Sequence, residues 1–148
     1  MTHLTSSTAD DRRPVPQPDE ITRFYWDGAA AGRLLMQKCL SCGKLQFPPD
    51  VCCLSCQSEH FGHAEVSGRG SIYSYAVVER PLHAGFVDAL PYVIALVELD
   101  EQSGLRLVAN LLDATPGTRL SCGQPVEVVY EKREGITLPQ FRLVEVSR

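Results

Sequence analysis

The sequence predicts a mainly β chain made of one N-terminal helix, a short cysteine-stapled ribbon and a C-terminal barrel of five strands. Three observations carry this. Two Cys-x-x-Cys pairs, Cys39/Cys42 and Cys53/Cys56, stand ten residues apart. Beyond residue 67, short segments rich in β-branched and aromatic residues are punctuated by Gly, Pro and Asp. Ahead of the first cysteine, apolar residues recur at helical spacing.

Taken in order, residues 1–17 read as a flexible polar tail, disordered or extended, with Pro14 and Pro16 and no apolar signal core. Residues 18–36 read as the helix. Asp19 is placed to cap its start, Ile21, Phe24, Tyr25 and Gly28 or Ala29 share one side, and Gly32 offers a stop. Trp26 falls off that stripe, so it either packs on the ribbon or docks on a partner. Residues 37–66 form the ribbon, too short to bury a core without a staple. Residues 67–148 form the barrel, with strands expected at Ser71–Val78, Tyr92–Leu99, Leu105–Leu111, Val126–Glu131 and Phe141–Val146. Five short strands in this length fit a small closed barrel of the OB type, although no helical pattern separates the third from the fourth. Gly68 and Gly70 mark a turn or bulge at its entrance. The second strand is nearly all apolar, which calls for burial on both faces or cover from another chain.

The cysteine spacing points to one structural zinc per chain. Each Cys-x-x-Cys turn presents two thiolates to one ion, and four thiolates close a tetrahedral shell with no position left for water. Hydrolysis at this metal is therefore not expected. Gly43 follows the first pair, where the turn needs a residue tolerant of positive φ. Cys52 competes with Cys53 for the third position, but only Cys53 preserves the Cys-x-x-Cys turn. His60 and His63 read as surface or packing residues, and Cys122 as a small buried or half-buried one. No nucleotide loop, nucleophile elbow or His-Glu-x-x-His is present. Asp88, Glu98 and Asp100 have no acid or nucleophile beside them, so no catalytic residue is assigned. The formal net charge of −4 disfavours nucleic acid, which is bound through phosphate neutralisation. No apolar run is long enough to span a membrane, and a cytoplasmic protein is expected.

Further residues align with a known family. Phe24-Tyr-Trp26 precedes Gly32-Arg-Leu-Leu-Met-Gln-Lys-Cys39 and Cys42-Gly43. Then come Phe47-Pro-Pro49, the second Cys pair, Gly68-Arg-Gly70-Ser-Ile-Tyr-Ser, Pro91-Tyr92, Val97-Glu-Leu99 and Leu138-Pro-Gln-Phe141. From about residue 18 onward the chain resembles the DUF35 family, in which a rubredoxin-like zinc ribbon is followed by an OB-fold. The resemblance implies that Cys39, Cys42, Cys53 and Cys56 hold the zinc; Cys52 departs from the family pattern. It also implies an accessory role beside a thiolase-like subunit in a hetero-oligomer acting on acyl-CoA. The chemistry implied is thiolysis, acyl transfer or retro-aldol cleavage of CoA thioesters, including steroid side-chain or aromatic degradation. A CoA thioester becomes an expected ligand, and the catalytic groups are expected on the partner.

Two other functions compete: a stand-alone acyl-CoA-binding protein and a nucleic-acid-binding zinc-ribbon OB protein. The acidic charge counts against the second. For the partner surface, the segment Arg80–Pro91 is long for a hairpin and apolar for a loop, with Leu82, Phe86, Val87 and Leu90. These side chains either cap the open end of the barrel or, with Trp26, meet the partner.

Overall fold

The computed structural model describes residues 12–145. The helix, α1 (Arg23–Ala30), is shorter than the predicted 18–36. Asp19 does not cap it directly. Its carboxylate accepts from the Ile21 and Thr22 amides and from the Thr22 hydroxyl, which builds the turn ahead of the helix. These bonds, those with Thr22 foremost, hold the Asp19 carboxyl below its usual range. At the other end Gly32 takes φ +72°, and the Gly32 and Arg33 amides close onto Ala29 and Gly28 carbonyls. The chain then leaves the helix, and Leu34–Met36, expected inside it, begin a strand. Tertiary pairing overrides their helix propensity, because all three side chains are buried there.

That strand, β1 (Leu34–Cys39), is the centre of the ribbon sheet. It pairs antiparallel with β2 (Leu45–Gln46) on one side and β3 (Phe61–Val66) on the other. The second sheet contains β4 (Arg69–Val78), β5 (Tyr92–Leu99), β6 (Arg106–Asn110), β7 (Pro125–Arg133) and β8 (Ile136–Leu143), in the spatial order β6-β5-β4-β7-β8. A bridge between Leu111 and Phe141 brings the β6 end back to β8, so the sheet curls into a nearly closed barrel. The predicted strand at Tyr92–Leu99 is found over that range. The last strand lies upstream of the expected Phe141–Val146, and Val146 is outside the described residues. Pro139 obscured it in the sequence, yet a proline is tolerated there because β8 ends the sheet. No helix lies between β6 and β7, as the sequence pattern implied.

One core runs through both modules. Tyr25 from α1, Leu34 and Met36 from β1 and Val66 from β3 pack in the same cluster as Ile72, Val97, Leu107, Val126 and Phe141 of the barrel. The helix bridges the two, resting on β1 and β8. A short 3₁₀ segment, Ala84–Ala89, sits in the β4–β5 loop. The barrel entrance is tight. A Cβ on Gly70 would lie 2.3 Å from the Glu98 carbonyl oxygen on β5, and one on Gly68 would meet Val128 at 2.2 Å. Gly68 also takes φ +78°. The register shift lies further along β4, between Ile72 and Ser74, so the glycines serve close backbone approach rather than the bulge itself. Gly70→Ala is expected to lower unfolding stability by about 1–3 kcal/mol, the cost of forcing atoms into a filled space, as read by urea denaturation.

Candidate metal centre

Two turns of the same design build the centre. In the first, which follows β1, the Gly43 amide donates to the Cys39 carbonyl at 2.9 Å and the Cys39 amide to Lys44 at 2.9 Å. In the second, the Gln57 amide donates to Cys53 at 2.9 Å and the Cys53 amide to Ser58 at 2.8 Å. The residue after each second cysteine is left-handed: Gly43 at φ +78° and Gln57 at φ +64°. Glycine advertised the first turn in the sequence; glutamine hid the second. The hydroxyls of Ser41 and Ser58 meet at 2.8 Å and tie the two turns together.

The turns bring the Sγ atoms of Cys39, Cys42, Cys53 and Cys56 within 4.8 Å of one another. Cys39 and Cys56 lie 3.6 Å apart and Cys42 and Cys53 3.7 Å. A tetrahedral Zn–S₄ shell with bonds near 2.3 Å has sulfur–sulfur edges of about 3.8 Å. The four thiols therefore fit a zinc ion, which they would hold in a closed shell. Backbone amides prepare the thiolates. Those of Cys42 and Ser41 bring the Cys39 thiol down to about 6, and those of Cys56 and Ser55 lower Cys53. Ser58 offers Cys56 an amide too, but the crowded Cys39 thiol and desolvation leave it raised to about 12. Four thiolates cannot crowd together without a cation, and a divalent ion at their centre removes the conflict.

Cys52 stays outside the cluster. It is half-buried and its Sγ donates to the Cys53 carbonyl at 3.6 Å. His60 is exposed, and His63 stacks on Phe24 with ring centres 5.2 Å apart. Cys122, expected to be at least half-buried, is exposed, since it sits in the tight turn that leads into β7.

The sequence reading missed the glutamines that support the centre. Gln37 is buried, donates to the Asp50 carbonyl at 2.8 Å and accepts the Asp50 amide at 3.0 Å. Gln46, also buried, donates to Gln37 and to the Cys52 carbonyl and accepts the Leu54 amide. The second turn thus hangs on Gln46. Gln102, in the β5–β6 hairpin, pairs in the same two-point way with Leu45, at 2.9 and 2.7 Å. Amides on a strand face carry no spacing signal, which is why they were not legible in advance.

Of the expected partner-facing residues, Leu82 and Val87 are 82% and 53% exposed. Phe86 and Leu90 are half-buried. Phe86 lies against Tyr92, with the guanidinium groups of Arg13 and Arg133 5.2 and 6.0 Å from its ring centre. Trp26 is half-buried, edge-on to Tyr25.

Purified protein is expected to contain about one zinc per chain, because binding and folding of such a site are one event. Cys39→Ser and Cys56→Ser should lose it, Cys52→Ser and Cys122→Ser should retain it, and acidification should release it as the thiolates protonate. Elemental analysis with thiol titration checks all four variants. Gln46→Ala should weaken zinc about 10–100-fold in chelator competition, the usual cost of removing a group that orients a metal-binding turn.

Comparison with known proteins places this arrangement. The family model for the ChsH2 rubredoxin-like zinc ribbon domain matches residues 26–61, and that for the ChsH2 C-terminal OB-fold domain matches residues 63–131. The chain is 38% identical to a probable enoyl-CoA hydratase alpha subunit of Thermomonospora curvata, across 95% of this chain but 43% of that protein. It thus spans less than half the length of that relative. It is 30% identical to benzoylsuccinyl-CoA thiolase subunit BbsA of Thauera aromatica, over 95% of this chain and 99% of BbsA. Among solved structures, a chain of the Ltp2-ChsH2(DUF35) aldolase superposes with a TM-score of 0.76 at 38% identity, covering 87% of this chain and 98% of that one. The chain belongs to the ChsH2-type DUF35 family, proteins built from a rubredoxin-like zinc ribbon and an OB-fold domain.

Proposed function

We propose that this chain is a zinc-containing, non-catalytic subunit of a thiolase-like enzyme that makes or breaks carbon–carbon or thioester bonds of CoA thioesters. The observation that carries the reading is the end-to-end likeness to BbsA, a thiolase subunit of matching length, and the aldolase complex among the solved structures supports it. The chemistry of the chain agrees. Its clustered thiols form a closed shell rather than an open catalytic one. His83 Nδ1 accepts the Gly85 amide at 3.0 Å.

In this reading Leu82 and Val87 meet the partner, with half-buried Phe86 and Leu90 beside them and Trp26 as a second contact. The notch beside this loop, lined by Arg13, Phe86, Tyr92, Asn110 and Arg133, has a volume of about 210 Å³. Pockets that enclose a drug-sized ligand run from about 300 Å³ upward. This notch alone is too small to enclose an acyl-CoA, and the likeness to a thiolase subunit favours its being held by the assembled complex over a stand-alone carrier. A nucleic-acid role is weaker still. The formal net charge is −4, and such binding relies on a basic groove along the backbone.

The test is purification of the tagged chain from its own host. A thiolase-like protein should co-elute in fixed stoichiometry, the complex should turn over a CoA thioester, and the chain alone should not. Turnover by the isolated chain at the rate of the complex would overturn the assignment. Leu82→Asp should leave thermal stability unchanged and reduce co-elution, whereas Phe86→Ser should lower stability first.

A further inference from the structure

Strand β4 is paired on both sides for only part of its length. Toward β7 its register runs from Arg69 to Ser71, and Ile72 adds bonds with Gln124 and Gly123. Beyond the register shift at Ile72/Ser74, β4 continues to Val78 with β5 as its one strand neighbour. Among the described residues, no backbone hydrogen bond reaches Ser74–Val78 from the β7 side. The stretch Tyr73–Val78 contains no charge and no proline, so it lacks the devices by which proteins blunt an open edge.

Both faces beside this edge are apolar. Tyr75 and Val77 stand opposite Ala95 and Val93 of β5, which point into the core. They nevertheless remain 38% and 50% exposed, because the barrel wall is missing next to them. A groove of about 240 Å³, with Val77, Val93, Ala114 and Leu120 in its lining, opens there. On the outer face Ala76 stands opposite Ile94, and Ser74 opposite Leu96, which in turn faces the exposed Val108. The apolar outer side of β5 is therefore only half-covered within this chain.

We propose that the Ser74–Val78 edge is completed by an extended, uncharged segment of the thiolase-like partner, added as a further strand. The proposal rests on the partner reading above. The unpaired groups are main-chain donors and acceptors at strand spacing, which an extended backbone satisfies and a helix does not. An added strand would place alternate side chains over the groove of Val77 and Leu120 and over the outer apolar row. Val78 leads directly into the Glu79–Pro91 loop, so edge and loop form one continuous surface. A second copy of this chain offers the same backbone, but the relatives that match are subunits of assemblies with a different chain.

The test is amide hydrogen exchange on the full zinc-loaded chain, alone and in its purified complex with the co-eluting thiolase-like protein. The outward amides of residues 73–78 should exchange about 100-fold more slowly in the complex, as fits conversion from a free edge to a paired strand. Val77→Lys, which points a charge into the groove, should keep zinc and fold but weaken the complex about tenfold or more, the cost of burying an unpaired ammonium beneath the added strand. Val77→Thr should leave it near wild type, separating edge chemistry from packing. A complex that forms with exchange at 73–78 unchanged overturns the strand addition alone and leaves the partner reading standing. Slowed exchange that grows with the concentration of the isolated chain assigns the edge to a second copy and overturns the proposal. If no thiolase-like protein co-elutes, both readings fall.

Discussion

The fold depends on one constraint: four thiols must share a point. The ribbon has a two-residue strand at one edge, and its second cysteine turn contains no regular element. So few residues cannot repay the entropy of ordering them through apolar burial. A metal held by Cys39 at the end of β1 and by Cys53 in the second turn would replace that missing core. The same strand sends Leu34 and Met36 into the interior shared with the barrel.

From the centre, order passes outward through amides. Gln46 holds the second turn, Gln37 holds the chain at Asp50, and Gln102 reaches from the barrel hairpin to grip Leu45. Each such bond contributes only about 1 kcal/mol net, but a buried amide left unpaired costs about 1–3 kcal/mol. Among the described residues no buried side-chain donor or acceptor lacks a partner. These bonds therefore select one arrangement of ribbon and barrel more than they add to stability. The Glu101 carboxylate adds a further tie by accepting the Ser67 amide at 2.7 Å in the linker.

The barrel spends its residues unevenly. Its ribbon-side end is tight enough to require glycine at residues 68 and 70. At the far end β4 and β7 diverge, the segment between β6 and β7 carries no helix, and Tyr75 and Val77 stand on a core-facing side with little to cover them. The proposed role as a subunit fits that asymmetry. The closed end keeps the cysteine cluster and helix in place, and the open end leaves backbone and apolar side chains uncovered within this chain.

Much of this was legible beforehand because it is local. Cys-x-x-Cys spacing confines two thiols to one turn, glycine at residue 43 marks a left-handed position, and β-branched runs state their strand preference regardless of neighbours. The apolar run Tyr92–Leu99 announced a strand in need of cover. What the sequence could not settle depends on contacts between distant residues. Leu34–Met36 follow a helical stretch yet become strand, because β3 and the shared core reward extension there. Cys122 looks like any small core residue until the turn that carries it is seen at the surface. Three glutamines read as unremarkable polar positions until folding brings them to backbone groups up to 57 residues away. By itself the sequence determined the clustering of four cysteines, most of the barrel strands and the family, since each rests on residues close together in the chain or on their order. Only the tertiary structure decided which side of each strand is covered, where the barrel stays open and how the ribbon is held against it, because burial and pairing are properties of the packed molecule.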